Sequence, residues 1–306
     1  MTATFGRGAK GDLVTLLQRG LAARGHYTGR IDADFGGATQ RAVKALQELA
    51  GRAATGAAAA ADWTDATGLP WPELFERCLQ LTARFEGHGY GTVVGNFDGA
   101  GLTWGIIGFT LKHGGLGTVV LEAEARAPGV LAEAFGDEAA DELVAHLRDD
   151  PPARRLDWAD AVSLPPRKVR VAEPWRGGFA RLGAEPLVQE IQRREARRRY
   201  FAPALETACR LGLEGERGVA LCFDVQVQNG GVKAKTAKAY ETGAVTLPAG
   251  STERDRRQIL ARLVAASSRP EYRGDVFARK QTIASGEGTV HGERFDLDAW
   301  ALDAAG

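Results

Sequence analysis

The 306-residue chain is poor in cysteine. Cys78, Cys209 and Cys222 are odd in number and far apart, and each sits in an apolar helical pattern. Such a set cannot form a disulfide framework, and it reads as buried free thiols of a protein folded in a reducing compartment. The same surroundings are poor ground for a thiolate nucleophile, which needs an electropositive, partly open setting. Histidine is scarce too. His26, His88, His113, His146 and His291 are scattered, with no His-Glu-x-x-His or similar ligand pair. Zinc amidase or carboxypeptidase chemistry therefore lacks its ligands, and no metal or other cofactor is expected. There is no Gly-x-Ser-x-Gly elbow and no phosphate-cradling glycine loop. Charge is balanced, with 39 Lys+Arg against 39 Asp+Glu. That excludes a binder built on phosphate neutralisation, so no nucleic-acid partner is expected. It also argues mildly against a polycationic substrate that needs a strongly acidic groove, although a local field can differ from the total. No run approaches the ~18 apolar residues of a membrane span. The opening residues MTATFGRGAKGD show no apolar core of a signal peptide. The expectation is a monomer made in the cytoplasm without a signal peptide, which reaches any target outside the membrane after release or injection.

What is present is ordinary globular composition, 44% hydrophobic and 25% charged, enough to bury a real core. Residues 5–68 read as a compact module. Asp12 stands as an N-cap, and Leu13, Val14, Leu16, Leu17 and Leu21 follow at helical spacing. Gly25 closes that helix and 26–32 makes a turn. Phe35-Gly36 opens a second helix with Ala42, Val43, Leu46 and Leu49 on one face, and a third short helix is expected near Ala57 to Trp63. Gln18, Gly29-Arg30-Ile31-Asp32, Phe35-Gly36 and Thr39-x-x-Ala42-Val43-x-x-x-Gln47 together resemble the common peptidoglycan-binding domain. The resemblance implies a three-helix bundle with affinity for bacterial wall, and peptidoglycan as partner. On that reading Tyr27, Asp32, Phe35 and Gln47 lie near a shallow muropeptide groove. The alternative is that Phe35 and Ile31 are core and Gln47 caps a turn. Thr67-Gly68-Leu69-Pro70 is the expected linker, which places domain one at 1–68 and domain two at 69–306.

The second domain is organised around FEGHGYGTVVGNFDGAGLTWGIIGFT, residues 85–110. A helix entered through Pro72 carries Phe75, Cys78, Leu79, Thr82 and Phe85 on one face and delivers Glu86 at its C-terminal end, where Gly87, Gly89 and Gly91 break it. Asp98 follows in the turn Asp98-Gly99-Ala100-Gly101, and Thr103 opens a β-like run from Leu102 to Phe109. Two carboxyl groups on separate backbone elements suit hydrolysis of a sugar–sugar bond. One must be neutral to protonate the leaving oxygen, and the other ionised to activate water. The helix dipole opposes ionisation of Glu86 and burial behind Phe85 desolvates it, so its expected pKa is raised.

Glu86, Asp98-Gly-x-Gly-x-Thr103 and Gly105-Ile106-Ile107-Gly108-Phe109 resemble the catalytic segment of the family-46 chitosanases, and more loosely that of phage-type lysozymes. The resemblance implies Glu86 as general acid, Asp98 as general base and Thr103 as the hydroxyl that positions water. It further implies inversion and a carboxyl separation nearer ~6.5–9.5 Å than ~5–5.5 Å. Ala100 stands where chitosanases usually carry arginine, which points away from chitosan, and the loop from Glu86 to Asp98 is shorter. Tyr90 and Trp104 are further candidates for substrate contact, as are Trp158 and Trp175 if exposed rather than packed.

Residues 116–148 read as two or three helices broken at Ala127-Pro128-Gly129, and Asp149 to Arg170 as an irregular surface passage. Gln189 to Tyr200 reads as a basic amphipathic helix whose charged face is solvated and laced with ion pairs. Residues 218–231 form an apolar helix containing Asp224, an expensive burial unless a cation meets it. The chitosanase resemblance implies arginine partners from a C-terminal helix, with Arg279 favoured over Arg273, supporting the cleft rather than doing chemistry. His291 reads as structural. The fold class expected is mainly α, lysozyme-like α+β: a three-helix bundle plus a larger helical domain with a small β-sheet. The function expected is hydrolysis of β-1,4 bonds in wall glycan, with chitosan hydrolysis or an inactive wall-binding scaffold as rivals.

Overall fold

A computed structural model describes residues 3–87 and 89–303, and His88 lies outside the described residues. The architecture is mainly α, with small antiparallel sheets. The N-terminal helices are α1 (Asp12–Ala23), α2 (Gly37–Leu49) and α3 (Ala60–Thr67), followed by α4 (Leu74–Glu86). A three-stranded meander comes next, β1 (Val93–Val94), β2 (Thr103–Trp104) and β3 (Phe109–Thr110). Then follow α5 (Gly115–Arg126), α6 (Val130–Phe135), α7 (Asp137–Arg148), α8 (Pro152–Ala161), the ribbon β4 (Ser163–Leu164) and β5 (Arg170–Val171), α9 (Trp175–Ala184) and α10 (Pro186–Ala196). The C-terminal part comprises α11 (Ala202–Leu211), α12 (Glu216–Asn229), α13 (Ala234–Val245), α14 (Glu253–Ser267) and α15 (Arg273–Ser285), closed by the hairpin β6 (Glu287–Val290) and β7 (Glu293–Asp296).

The chain packs as two compact units, one formed by 1–85 with 200–306 and the other by 86–199. This grouping differs from the 68/69 boundary drawn from motifs, because the N-terminal bundle is stitched to its own unit. Phe5 bridges both Ala58 and Trp300. Gly11, the residue before α1, has no side chain to cap it, and Gln80 of α4 accepts from the Leu13 N–H at 2.8 Å instead. Lys10 and Arg84 both pair with Glu293.

Inside the bundle, fully buried Gln18 is the hub. Its amide donates to Asp32 Oδ1 (2.8 Å) and Thr39 Oγ1 (3.0 Å), and its carbonyl accepts from the N–H groups of Asp32 and Ala33. A single neutral side chain thus satisfies a turn that would otherwise bury bare backbone. Gln47 does the same for the α2–α3 loop, donating to Ala57 O and Asp62 Oδ2 and accepting from the Gly56 N–H. The third helix starts at Ala60 rather than 57, since Asp62 closes its first turn by accepting from the Ala59 N–H.

Two departures concern local signals. The passage after Asp149 is not irregular: Pro151 and Pro152 start α8, proline being suited to the first turn of a helix. The run from Leu102 to Phe109 is two strands rather than one, because Gly105 (φ 91°) and Gly108 turn the chain between them. Cys78 and Cys222 are buried, and burial pushes their thiols up, Cys222 to about 12. Cys209 is exposed on α11, which corrects the expectation for that thiol.

In the unit holding the termini, α12 runs through the core and buries Asp224 completely. Arg279 meets its Oδ1 at 2.6 Å, and Lys280 reaches Oδ2. Arg273, the other expected partner, is exposed and donates to Ser268 O, so Lys280 takes the second place. The reason is helical geometry: positions 279 and 280 share the inward face of α15, and 273 sits at its first turn. Burial alone would push the Asp224 carboxyl up, but the two cations outweigh it and hold it at about 2. A depressed pKa stabilises the fold above the unfolded value of 3.8 and loses that contribution as pH falls through about 2. Acid titration of unfolding should therefore show roughly 2 kcal/mol disappearing between about pH 4 and pH 2. Asp224→Ala removes the carboxylate that meets both buried cations and should cost about 3–5 kcal/mol in urea denaturation.

Candidate active site

Glu86 is the last residue of α4, and the left-handed Gly87 (φ 68°) ends the helix immediately behind it. Its side chain is half-buried. The residue before it, Phe85, is buried, packs on Phe295 at 4.8 Å and lies beneath the Arg279 guanidinium at 5.4 Å. The end of this helix is thus held through Phe85 by the same arginine that neutralises Asp224.

The other candidates lie on the meander. Pairing of Val94 with Thr103 and of Thr103 with Thr110 puts these three side chains on one face. Val93, Trp104 and Phe109 occupy the opposite face, where Trp104 and Phe109 are wholly buried. Thr103 therefore points to the open side, half-exposed, and among the described residues no side chain engages its hydroxyl. Trp104 is the reverse case: its indole N–H donates to Phe179 O at 3.1 Å, and its ring packs on Phe179. Sequence reasoning that placed Trp104 against substrate is corrected, since alternation along a strand sends neighbours to opposite faces.

Asp98 sits exposed in the β1–β2 loop, with Oδ1 accepting from the Ala100 N–H at 3.0 Å. This local turn anchors the carboxylate by one oxygen while the residue as a whole stays exposed. The loop is fixed from below: Asn96 accepts from the Gly101 N–H and donates to Asp160, and Ser163 Oγ accepts from the Asn96 N–H. Lys168 pairs with Asp160 and holds its carboxyl below the usual carboxylate range.

One organising residue was invisible in the sequence. Gln192 on α10 is fully buried, donates to Tyr90 O (3.0 Å) and accepts from the Ile106 N–H (3.0 Å). It ties the loop that follows Glu86 to the turn that follows Thr103. Gly105 permits this, because a Cβ there would lie 2.5 Å from Gln192 Oε1. The helical period of the basic segment would have put Gln192 on an inward face with Val188 and Ile191, but periodicity cannot say which loop an amide will meet. The segment read as one basic helix is α-helical only to Ala196 and continues as a π-helical turn over Arg197–Phe201, with Glu195 paired to Arg198 and Arg199. Tyr90 is half-buried, with its hydroxyl 3.4 Å from an Arg193 nitrogen. Trp158 and Trp175 are buried against each other and offer no stacking surface.

The bundle residues divide. Phe35 is core, Gln47 closes its loop, and Tyr27 is buried with its hydroxyl on Arg30 O, so none of the three presents a side-chain face to a ligand. Asp32 is exposed, and its bond from Gln18 lowers its pKa. The residues that make this motif legible are chiefly those that fold it. Among the described residues no three His, Cys, Asp or Glu side chains converge as a metal-ligand group, and no helix is long and apolar enough to cross a membrane.

Replacing Gln192 by Leu leaves the buried Ile106 N–H without its acceptor. We expect a loss of about 1–3 kcal/mol and faster amide exchange at Ile106 than at the α12 core.

Known proteins share parts of this geometry. Residues 10–60 match the sequence family of the peptidoglycan-binding domain. No curated protein sequence matches the chain. Among solved structures, a family-46 chitosanase of Gynuella sunshinyii in complex with chitotetraose is 18% identical and superposes with a TM-score of 0.50, covering 74% of this chain and 98% of its own. A mutant chitosanase from Bacillus subtilis MY002 complexed with 6 GlcN is 19% identical, also with a TM-score of 0.50, covering 69% of this chain and 87% of its own. The chain thus joins a peptidoglycan-binding segment to a fold of the family-46 chitosanase type.

Proposed function

We propose that the protein is a glycoside hydrolase that cleaves β-1,4 bonds in the glycan strands of peptidoglycan. The observation that carries the reading is the joining, in one chain, of a peptidoglycan-binding segment to a chitosanase-type fold. The first points to the polymer and the second to the kind of bond. Glu86, carried on a helix end, gives its proton to the glycosidic oxygen as the C1–O bond breaks. Asp98, outward on its loop, takes a proton from the water that attacks C1 from the opposite face, and Thr103 on the open sheet face orients that water. Single displacement inverts the anomeric centre. The protein acts after release or injection into the wall compartment, as a monomer.

A second reading, hydrolysis of chitosan, is favoured by the two neighbours solved with glucosamine-type oligomers. Ala100 in the Asp98 turn and the balanced net charge weigh against it. Purified sacculi and chitosan presented side by side separate the two: reducing ends released from chitosan alone would make chitosan the substrate.

Loss of a general acid costs about 100-fold or more in rate. Glu86→Gln should therefore lyse permeabilised cells at least about a hundredfold more slowly than wild type while still sedimenting with sacculi. Equal lysis by both proteins would remove Glu86 from the chemistry. Proton NMR of the first-formed product should show inversion, and a retained anomer would contradict the single-displacement assignment.

A further inference from the structure

A groove of about 630 Å³ opens where α12, α14 and α15 end or begin, within the unit that holds the termini. That volume accommodates a sugar residue with its substituents. Three charged side chains line it, Lys233, Arg269 and Asp275. Asp275 is already engaged, accepting from Gln228 Nε2 at 2.8 Å and facing His291 Nε2 at 2.6 Å. Gln228 in turn accepts from Lys280 at 2.7 Å, so this wall is anchored on the buried Asp224. Lys233 and Arg269 are exposed, and among the described residues neither pairs with a carboxylate. Among the described residues the Asn229 side-chain oxygen, buried in the lining, has no hydrogen-bond partner, and Tyr272 is 51% exposed and lines the same groove.

We infer that this groove binds a carboxylate-bearing saccharide, with Lys233 and Arg269 meeting the carboxylate and the Asn229 amide and Tyr272 ring meeting the sugar. Two unpaired cations repel a polyglucosamine, which carries an ammonium on each ring, and attract a glycan whose rings carry acidic ethers or acidic peptides. The buried Asn229 oxygen, an acceptor without a donor among the described residues, and the exposed aromatic face are what a hydroxyl-bearing ring with an apolar side can use. The inference rests on the wall-glycan reading of the function and supplies its selectivity.

The test is equilibrium binding to the full chain carrying Glu86→Gln, measured by titration calorimetry at low salt. The probes are di-N-acetylchitobiose, the peptide-free N-acetylglucosaminyl-N-acetylmuramic acid disaccharide, and the same disaccharide with its stem peptide. Expected is a preference of about tenfold for an acidic probe over chitobiose. It should fall below about twofold when Lys233→Ala and Arg269→Ala are combined, and invert when both become Glu. The N-terminal bundle is common to every protein compared, so its own binding drops out of the change in preference between parent and variants, which is what assigns the groove. Preference already present with the peptide-free probe assigns the lactyl carboxylate; preference only with the peptide assigns the stem. Both positions are exposed, and matched thermal unfolding verifies that the variants fold. Equal affinities in the parent protein, or a preference unchanged in the double variant, would overturn the inference. Lysis of sacculi by wild type is scored separately, so a failed groove and a failed hydrolase reading are told apart.

Discussion

Asp224 carries a full negative charge at a position with no solvent exposure, and this constraint shapes much of the unit around it. An ion buried this deeply is tolerable only when opposite charges meet it at hydrogen-bond distance, and Arg279 and Lys280 do so from adjacent positions on α15. A slip of α15 along α12 would strand all three charges, so the pair of helices has one acceptable register. Two lines of support leave this point. Arg279 covers the Phe85 ring, next in the chain to Glu86. Lys280 holds Gln228, which holds Asp275 in the wall of the groove.

Glutamine recurs as a second structural device. Gln18, Gln47 and Gln192 are all buried, and each donates to one loop atom while accepting from another. A neutral amide can satisfy both polarities of exposed backbone without the desolvation cost of an ion. In the N-terminal bundle this explains why residues matching the peptidoglycan-binding motif are mostly interior: the motif preserves loop closure. Around the meander the same device fixes the flanks of the segment that carries the candidate acid, base and hydroxyl. Short two-residue strands are weak on their own, and the buried Trp104 and Phe109 with the Gln192 bridge supply what their few ladder bonds cannot.

The distribution of charge bears on the choice of polymer. Zero net charge leaves selectivity to local fields, and two of the three charged side chains that line the groove are cations with no carboxylate partner among the described residues. An acidic polymer suits that arrangement, as it suits a chain with a peptidoglycan-binding segment. Fold alone does not fix the polymer: a chitosanase-type scaffold can serve a different amino-sugar chain when groove charges and one turn residue differ.

The bundle helices, the helix that ends in Glu86, the apolar helix around Asp224, and the need for a cation beside that Asp were legible from spacing and from the cost of burying charge, whereas α8 was hidden in a proline- and arginine-rich passage. So were Glu86 at a helix end and Asp98 in a turn, because glycines and turn residues act locally. What tertiary structure alone decided was which face each side chain took and which distant atom it met. Trp104 went inward and Thr103 outward by strand alternation, Lys280 rather than Arg273 reached Asp224, and Gln192 found partners 86 and 102 residues away in the chain. Local signals fix backbone shape within a few residues, whereas these partners are chosen by packing between segments remote in sequence. One chain read without its contacts holds no record of that choice.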